Sequence, residues 1–66
     1  MKIEVTLDGK REVAEIGDRT RVEDLLEFLK IEKNEVLTTI ADELICFDEE
    51  LHDGDSVKIF KVVTGG

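Results

Sequence analysis

The chain has 66 residues, of which 39% are charged, and 17 acids against nine bases give a formal charge of −8. A domain of this size hides only about 60% of the surface its unfolded chain exposes, which leaves no room for both a packed core and a deep catalytic cavity. The acidic balance speaks against nucleic acid and anionic membrane as ligands, since both select a positive surface, and points to basic patches on another protein.

Met1-Lys2-Ile3-Glu4-Val5-Thr6-Leu7 alternates apolar and polar residues, which predicts a strand with one buried face. Asp8-Gly9 is a hairpin signal, because both residues tolerate positive φ. Residues 11–16 read as the return strand, in either of two registers. A two-residue loop sets Ile3 opposite Ala14 and Met1 opposite Ile16. A four-residue loop sets Val5 opposite Ala14 and Ile3 opposite Ile16. Both gather apolar side chains on one face, so the pattern alone does not choose between them.

Thr20-Arg21-Val22-Glu23 has the spacing of a capping box, with Thr20 at the N-cap and Glu23 reaching back. It predicts a helix from residue 21 to about 30. Val22, Leu25, Leu26 and Leu29 form its apolar stripe, Glu23, Asp24, Glu27 and Lys30 its polar side, and Phe28 lies at the margin. Residues 36–40 and 44–47 read as short strands around a turn at 41–43. Leu51 is expected to fill the core from a loop, and Asp53-Gly54-Asp55 marks a second turn. The last strand is predicted over residues 56–63, with Val57 and Ile59 on one face and Phe60 and Val62 on the other. One helix covers one face of a sheet, so the class is α+β, in two layers. The first and last strands are expected to be neighbours at the sheet centre.

The chemical inventory is sparse. The only nucleophile–base combinations are Cys46 with His52 and Ser56 with His52. His52 and Ser56 flank the turn at 53–55, where small polar residues are expected in any case, and Cys46 reads as a small, semi-buried apolar residue. One cysteine makes no internal disulfide, and a four-ligand zinc site is not available. Asp53 and Asp55 lack the spaced ladder of a calcium loop. The five glycines, at 9, 17, 54, 65 and 66, form no phosphate-binding loop. No catalytic residue, metal site or bound cofactor is expected. No apolar run is long enough to span a bilayer and no signal-peptide pattern is present, so the expected compartment is the cytoplasm.

The most informative feature is the end of the sequence, Val63-Thr64-Gly65-Gly66. Two residues without side chains can thread a slot too narrow for any other residue, and they end in a carboxylate that another enzyme can activate with ATP to an acyl-adenylate. The strand hairpin, the capped helix, Asp53-Gly54-Asp55-Ser56-Val57 ahead of a final strand, and the terminal Gly-Gly together resemble the β-grasp sulfur carriers of the ThiS/MoaD type. The likeness covers essentially the whole chain. The Val-Thr-Gly-Gly ending and Phe60 are similar to the molybdopterin branch, the short length and tight first hairpin to the thiamine branch. The sequence departs from the family at Ala41-Asp42, where Asn-Gly is common, and at Cys46, where Pro is frequent.

This resemblance implies a ubiquitin-like β-grasp fold, a mixed four- to five-stranded sheet with one packed helix. It implies a single domain over 1–63 and a flexible tail over 64–66. It also implies a protein co-substrate rather than an enzyme. A ubiquitin-activating-type enzyme would use ATP to adenylate Gly66, with Gly65 and Thr64 as the thin tether. A persulfide donor protein would then convert the adenylate to a thiocarboxylate, for delivery to a thiazole synthase or the large subunit of molybdopterin synthase. A ubiquitin-like modifier, conjugated to lysines through the same glycine, is the alternative. A third class is an interaction module whose tail is incidental. Phe60 and Val62, outward on the strand that leads to the tail, are the expected docking residues, ringed by acids that would favour a basic partner.

Overall fold

The computed structural model describes residues 1–62. Five strands form one sheet: β1 (Lys2–Leu7), β2 (Lys10–Glu15), β3 (Val36–Ile40), β4 (Glu43–Leu44) and β5 (Ser56–Lys61), in the order β2-β1-β5-β3-β4. β1 and β5 run parallel side by side, and the other pairs are antiparallel. The helix α1 (Val22–Phe28) crosses one face, and a short 3₁₀ turn (Lys33–Glu35) leads into β3. This is the two-layer β-grasp arrangement that the sequence implied.

The turn settles the register of the first hairpin. Asp8 (φ 52°) and Gly9 (φ 77°) both adopt the left-handed conformation of a two-residue turn, whose twist matches that of the strands. Ile3 therefore faces Ala14, and the four-residue alternative is absent. Alternation then sends Ile3 and Val5 inward from β1, and Val57 and Ile59 inward from β5, onto Val22, Leu25 and Leu26 of α1. Val36 and Ala14 close the sides, and Leu51, 2% exposed, enters from its loop. Leu29, the last residue of the predicted stripe, is only partly buried, and Phe28 is exposed.

The helix starts later than the capping-box spacing predicts. Arg21 is the N-cap, and its N–H donates to Asp24 Oδ2 at 3.1 Å. Thr20 instead donates its hydroxyl to Gly17 O at 2.6 Å, and Glu23 does not reach back. Distant backbone caused the change. Val22 N–H donates to Glu49 O at 2.9 Å and Glu23 N–H to Phe47 O at 2.8 Å, while Leu51 N–H takes Thr20 O at 2.8 Å. Residues 47–51 thus satisfy the first helical donors and hold Arg21 extended, bridged to Glu50.

The same bonds shorten the fourth strand, expected over 44–47. Only Glu43–Leu44 forms the strand, although Ile45 N–H still reaches Thr38 O of β3 at 3.0 Å, and the carbonyls of Phe47 and Glu49 turn to the start of the helix. Cys46 is consequently exposed, not semi-buried as the sequence suggested. The last strand likewise stops at Lys61, short of the expected residue 63.

At its other end α1 closes with Lys30 N–H on Glu27 O at 3.0 Å and Ile31 N–H on Leu26 O at 2.8 Å. This six-residue closure requires a left-handed residue, and Lys30 takes it with φ 59°. Lys30→Gly removes the clash of the Cβ with the backbone. It should raise stability by about 1 kcal/mol, net of the extra freedom glycine gives the unfolded chain. A midpoint in urea that stays level or falls would show that the lysine stem contributes more than the strain costs.

Asp53-Gly54-Asp55 is a structural clamp. Lys2 N–H donates to Asp53 Oδ1 at 2.8 Å, Gly54 N–H to Lys2 O at 2.9 Å and Glu4 N–H to Asp55 O at 2.9 Å. Asp55 Oδ2 accepts His52 N–H at 2.8 Å. The turn is thereby tied to the start of β1 and launches β5 alongside it.

Candidate functional site

The face of the sheet opposite α1 carries an exposed apolar group. On β5, Val57 and Ile59 point inward, so Phe60 points out and is 51% exposed; Val62, just past the strand, is 40% exposed. Leu37 lies directly opposite Phe60 on β3 and is 47% exposed. Leu44 joins the same face through its pairing with Thr39. A groove of about 250 Å³ runs beside Phe60, between Lys58 and Lys61 and the Asp8-Gly9 turn. Val62 N–H donates to Glu35 O at 2.8 Å, which pins the chain where it leaves the sheet. Val63, the expected end of the last strand, and Thr64, Gly65 and Gly66, the predicted tail with its reactive end, lie outside the described residues.

Among the described residues, the acids expected to ring this patch are matched by bases. Lys2, Arg11 and Lys58 on this face are set against Glu4 and Glu15, on a protein of net charge −8. Lys58 pairs with Asp42 at 3.6 Å and Lys61 with Asp8 at 3.4 Å, surface contacts of small energy. The acids crowd the helix layer and the loop at 48–50 instead.

The sequence reading missed Leu37 and Leu44. Val36 and Leu37 are both apolar, so alternation gives β3 no phase. The phase is set by Thr38, buried at 1% and donating toward Ile45 O at 3.4 Å. A buried threonine reads as polar in a sequence pattern, which hid the outward turn of Leu37.

The conceivable nucleophiles are not assembled into a site. Ser56 donates its hydroxyl to Glu4 Oε1 at 3.1 Å, and the nearest charged group to exposed His52 is Asp55 at 3.8 Å. Cys46 has no hydrogen bond to His52 among the described residues. No group of three or more His, Cys, Asp or Glu among the described residues is placed to hold a metal. An open groove of about 580 Å³ along α1 is lined by Glu23, Asp24, Glu27, Lys30, Glu32 and Lys33, among others, with no serine, cysteine or histidine in its lining. No described helix is long and apolar enough to cross a membrane.

The sheet order and single helix are those of a ubiquitin-like β-grasp fold, and the apolar face includes the last strand before the Gly65-Gly66 end of the sequence. The family model described as "ThiS family" matches residues 3–66, and the chain belongs to that family. Among solved structures it is similar to SAMP1 from Haloferax volcanii, with a TM-score of 0.76 and 17% identity over the whole of both chains. At that identity the likeness bears on the fold alone. No curated protein matches the sequence.

Proposed function

We propose that this protein is a sulfur carrier, a co-substrate whose Gly66 carboxylate is adenylated by a ubiquitin-activating-type enzyme. The observation that carries the reading is the family match running through residue 66, onto the two glycines. The carboxylate oxygen attacks the α-phosphorus of ATP and pyrophosphate leaves. The outer sulfur of a persulfide donor protein then attacks the acyl carbon and displaces AMP, and a thiol cleaves the resulting acyl disulfide, leaving a thiocarboxylate on Gly66 and a disulfide between that thiol and the donor cysteine. Thr64 and Gly65 form the thread that carries this group into the enzyme, while Phe60 and Val62, with Leu37 beside them, dock the body of the domain. The sulfur goes to a thiazole synthase or to the large subunit of molybdopterin synthase, in the cytoplasm.

The test is the intact mass of the protein isolated from its own cells. A fraction heavier by the difference between sulfur and oxygen, mapped to Gly66, is the expected result. Lysine conjugates through Gly66 in the extract, with no such fraction, would instead assign it as a protein modifier. Neither product in cells that express the protein would overturn both readings.

A further inference from the structure

β2 is an outer strand, and no described segment pairs with its free side. Met1 and Ile16 exchange bonds, Ile16 N–H to Met1 O at 2.9 Å and the Met1 amine to Ile16 O at 2.6 Å. This sets the phase of the ladder. In an antiparallel pair the phase alternates, so Ala14, Glu12 and Lys10 also turn their backbone groups toward β1. Arg11, Val13 and Glu15 therefore turn their N–H and C=O groups outward, along the free edge. The side chains of these three residues all stand on the outer face, and Val13 is 70% exposed.

Charges on an edge normally repel another strand. Here they complement a second copy of the same strand. With two β2 strands antiparallel and Val13 opposite its own equivalent, Arg11 of each copy faces Glu15 of the other. Every outward N–H and C=O of the three residues then meets a partner. On the helix side, Lys10 falls opposite Ile16 and Glu12 opposite Ala14, so no like charges lie directly across. A slip of two residues in either direction loses both charge pairs. Among the described residues neither Arg11 nor Glu15 has an ion-pair partner in the single chain.

We propose that the β2 edge is a self-association surface, on which two copies join about Val13 into one continuous ten-stranded sheet. The two-fold axis is perpendicular to the sheet. Both Phe60 faces therefore stay on one side and uncovered, and the two β5 strands run in opposite directions. The contact is three residues long on each copy, which places it among weak interfaces, below about 1,200 Å², and makes assembly dependent on concentration.

Light scattering on the whole chain at low salt tests this. The mass should rise from 7.5 kDa toward twice that value as concentration approaches about 1 mM, the weak end of specific affinities. Val13→Pro removes only an outward N–H, which an edge strand tolerates, and should hold the mass at the single-chain value with an unchanged circular dichroism spectrum. Arg11→Glu and Glu15→Arg should each weaken association about tenfold or more, as like charges then meet across the edge. The double variant should restore it, and this swap decides the matter if the proline variant misfolds. A constant single-chain mass for the wild type overturns the proposal. So does association that survives in a folded Val13→Pro variant, or that Phe60→Ala abolishes and the charge swap leaves untouched.

Discussion

Leu26→Ala is expected to bring the protein close to unfolding. Leu26 is 1% exposed at the centre of the face that α1 turns to the sheet, and truncating such a leucine costs about 2–5 kcal/mol. A 66-residue chain at about 0.05–0.15 kcal/mol per residue has roughly 3–10 kcal/mol in total. A urea titration should show the midpoint falling by about a fifth of its value or more, roughly in proportion to that loss. Leu29→Ala, at the partly buried end of the stripe, should cost clearly less. A midpoint unmoved by Leu26→Ala would mean that the helix does not pack as described.

Phe60→Ala is expected to separate docking from stability. The ring is half exposed, so its removal should shift stability by about 1 kcal/mol or less. Loss of a central aromatic contact costs an interface about 2 kcal/mol or more, which corresponds to a drop of roughly thirtyfold in ATP-dependent adenylation at low carrier concentration. Leu37→Ala should follow the same direction, because Leu37 lies directly across from Phe60. Bases offset acids on this face, so apolar contact rather than charge should carry most of the affinity. Normal adenylation by a variant that had lost several kcal/mol of stability would return Phe60 to the core and remove it from the docking surface.

Where a pattern has one clear period, the sequence was enough. The alternation in β1 and β5 gave the inward residues, and the spacing of Val22, Leu25 and Leu26 gave the helix face. What it could not give depended on contacts between distant segments. Thr20 has the right chemistry for a cap, yet backbone carbonyls at 47 and 49 took the donors it would have served. Those bonds also ended β4 after two residues and left Cys46 outside, although Leu44-Ile45-Cys46-Phe47 reads as a continuous strand. The first hairpin was ambiguous by pattern and was decided by the turn. Of the exposed apolar face, Phe60 and Val62 were readable because β5 alternates cleanly. Leu37 and Leu44 were not, because one strand hides its phase behind a buried threonine and the other is only two residues long.

The parallel pairing of β1 with β5 bears on how the molecule is made. Val5 beside Val57 joins positions 52 residues apart in the chain, and β5 is the middle strand of the sheet. Such distant pairing makes folding wait for loop closure. During synthesis the hairpin and α1 emerge first, but the core stays open on the side that Val57 and Ile59 will fill. Translation that stops before β5 leaves a chain that displays its apolar stripe and goes to proteases rather than to a partner. A folded copy must therefore have been synthesised through β5, whose last residue is Lys61, close to the terminal glycines. Conformation alone reports that the central strand has been made.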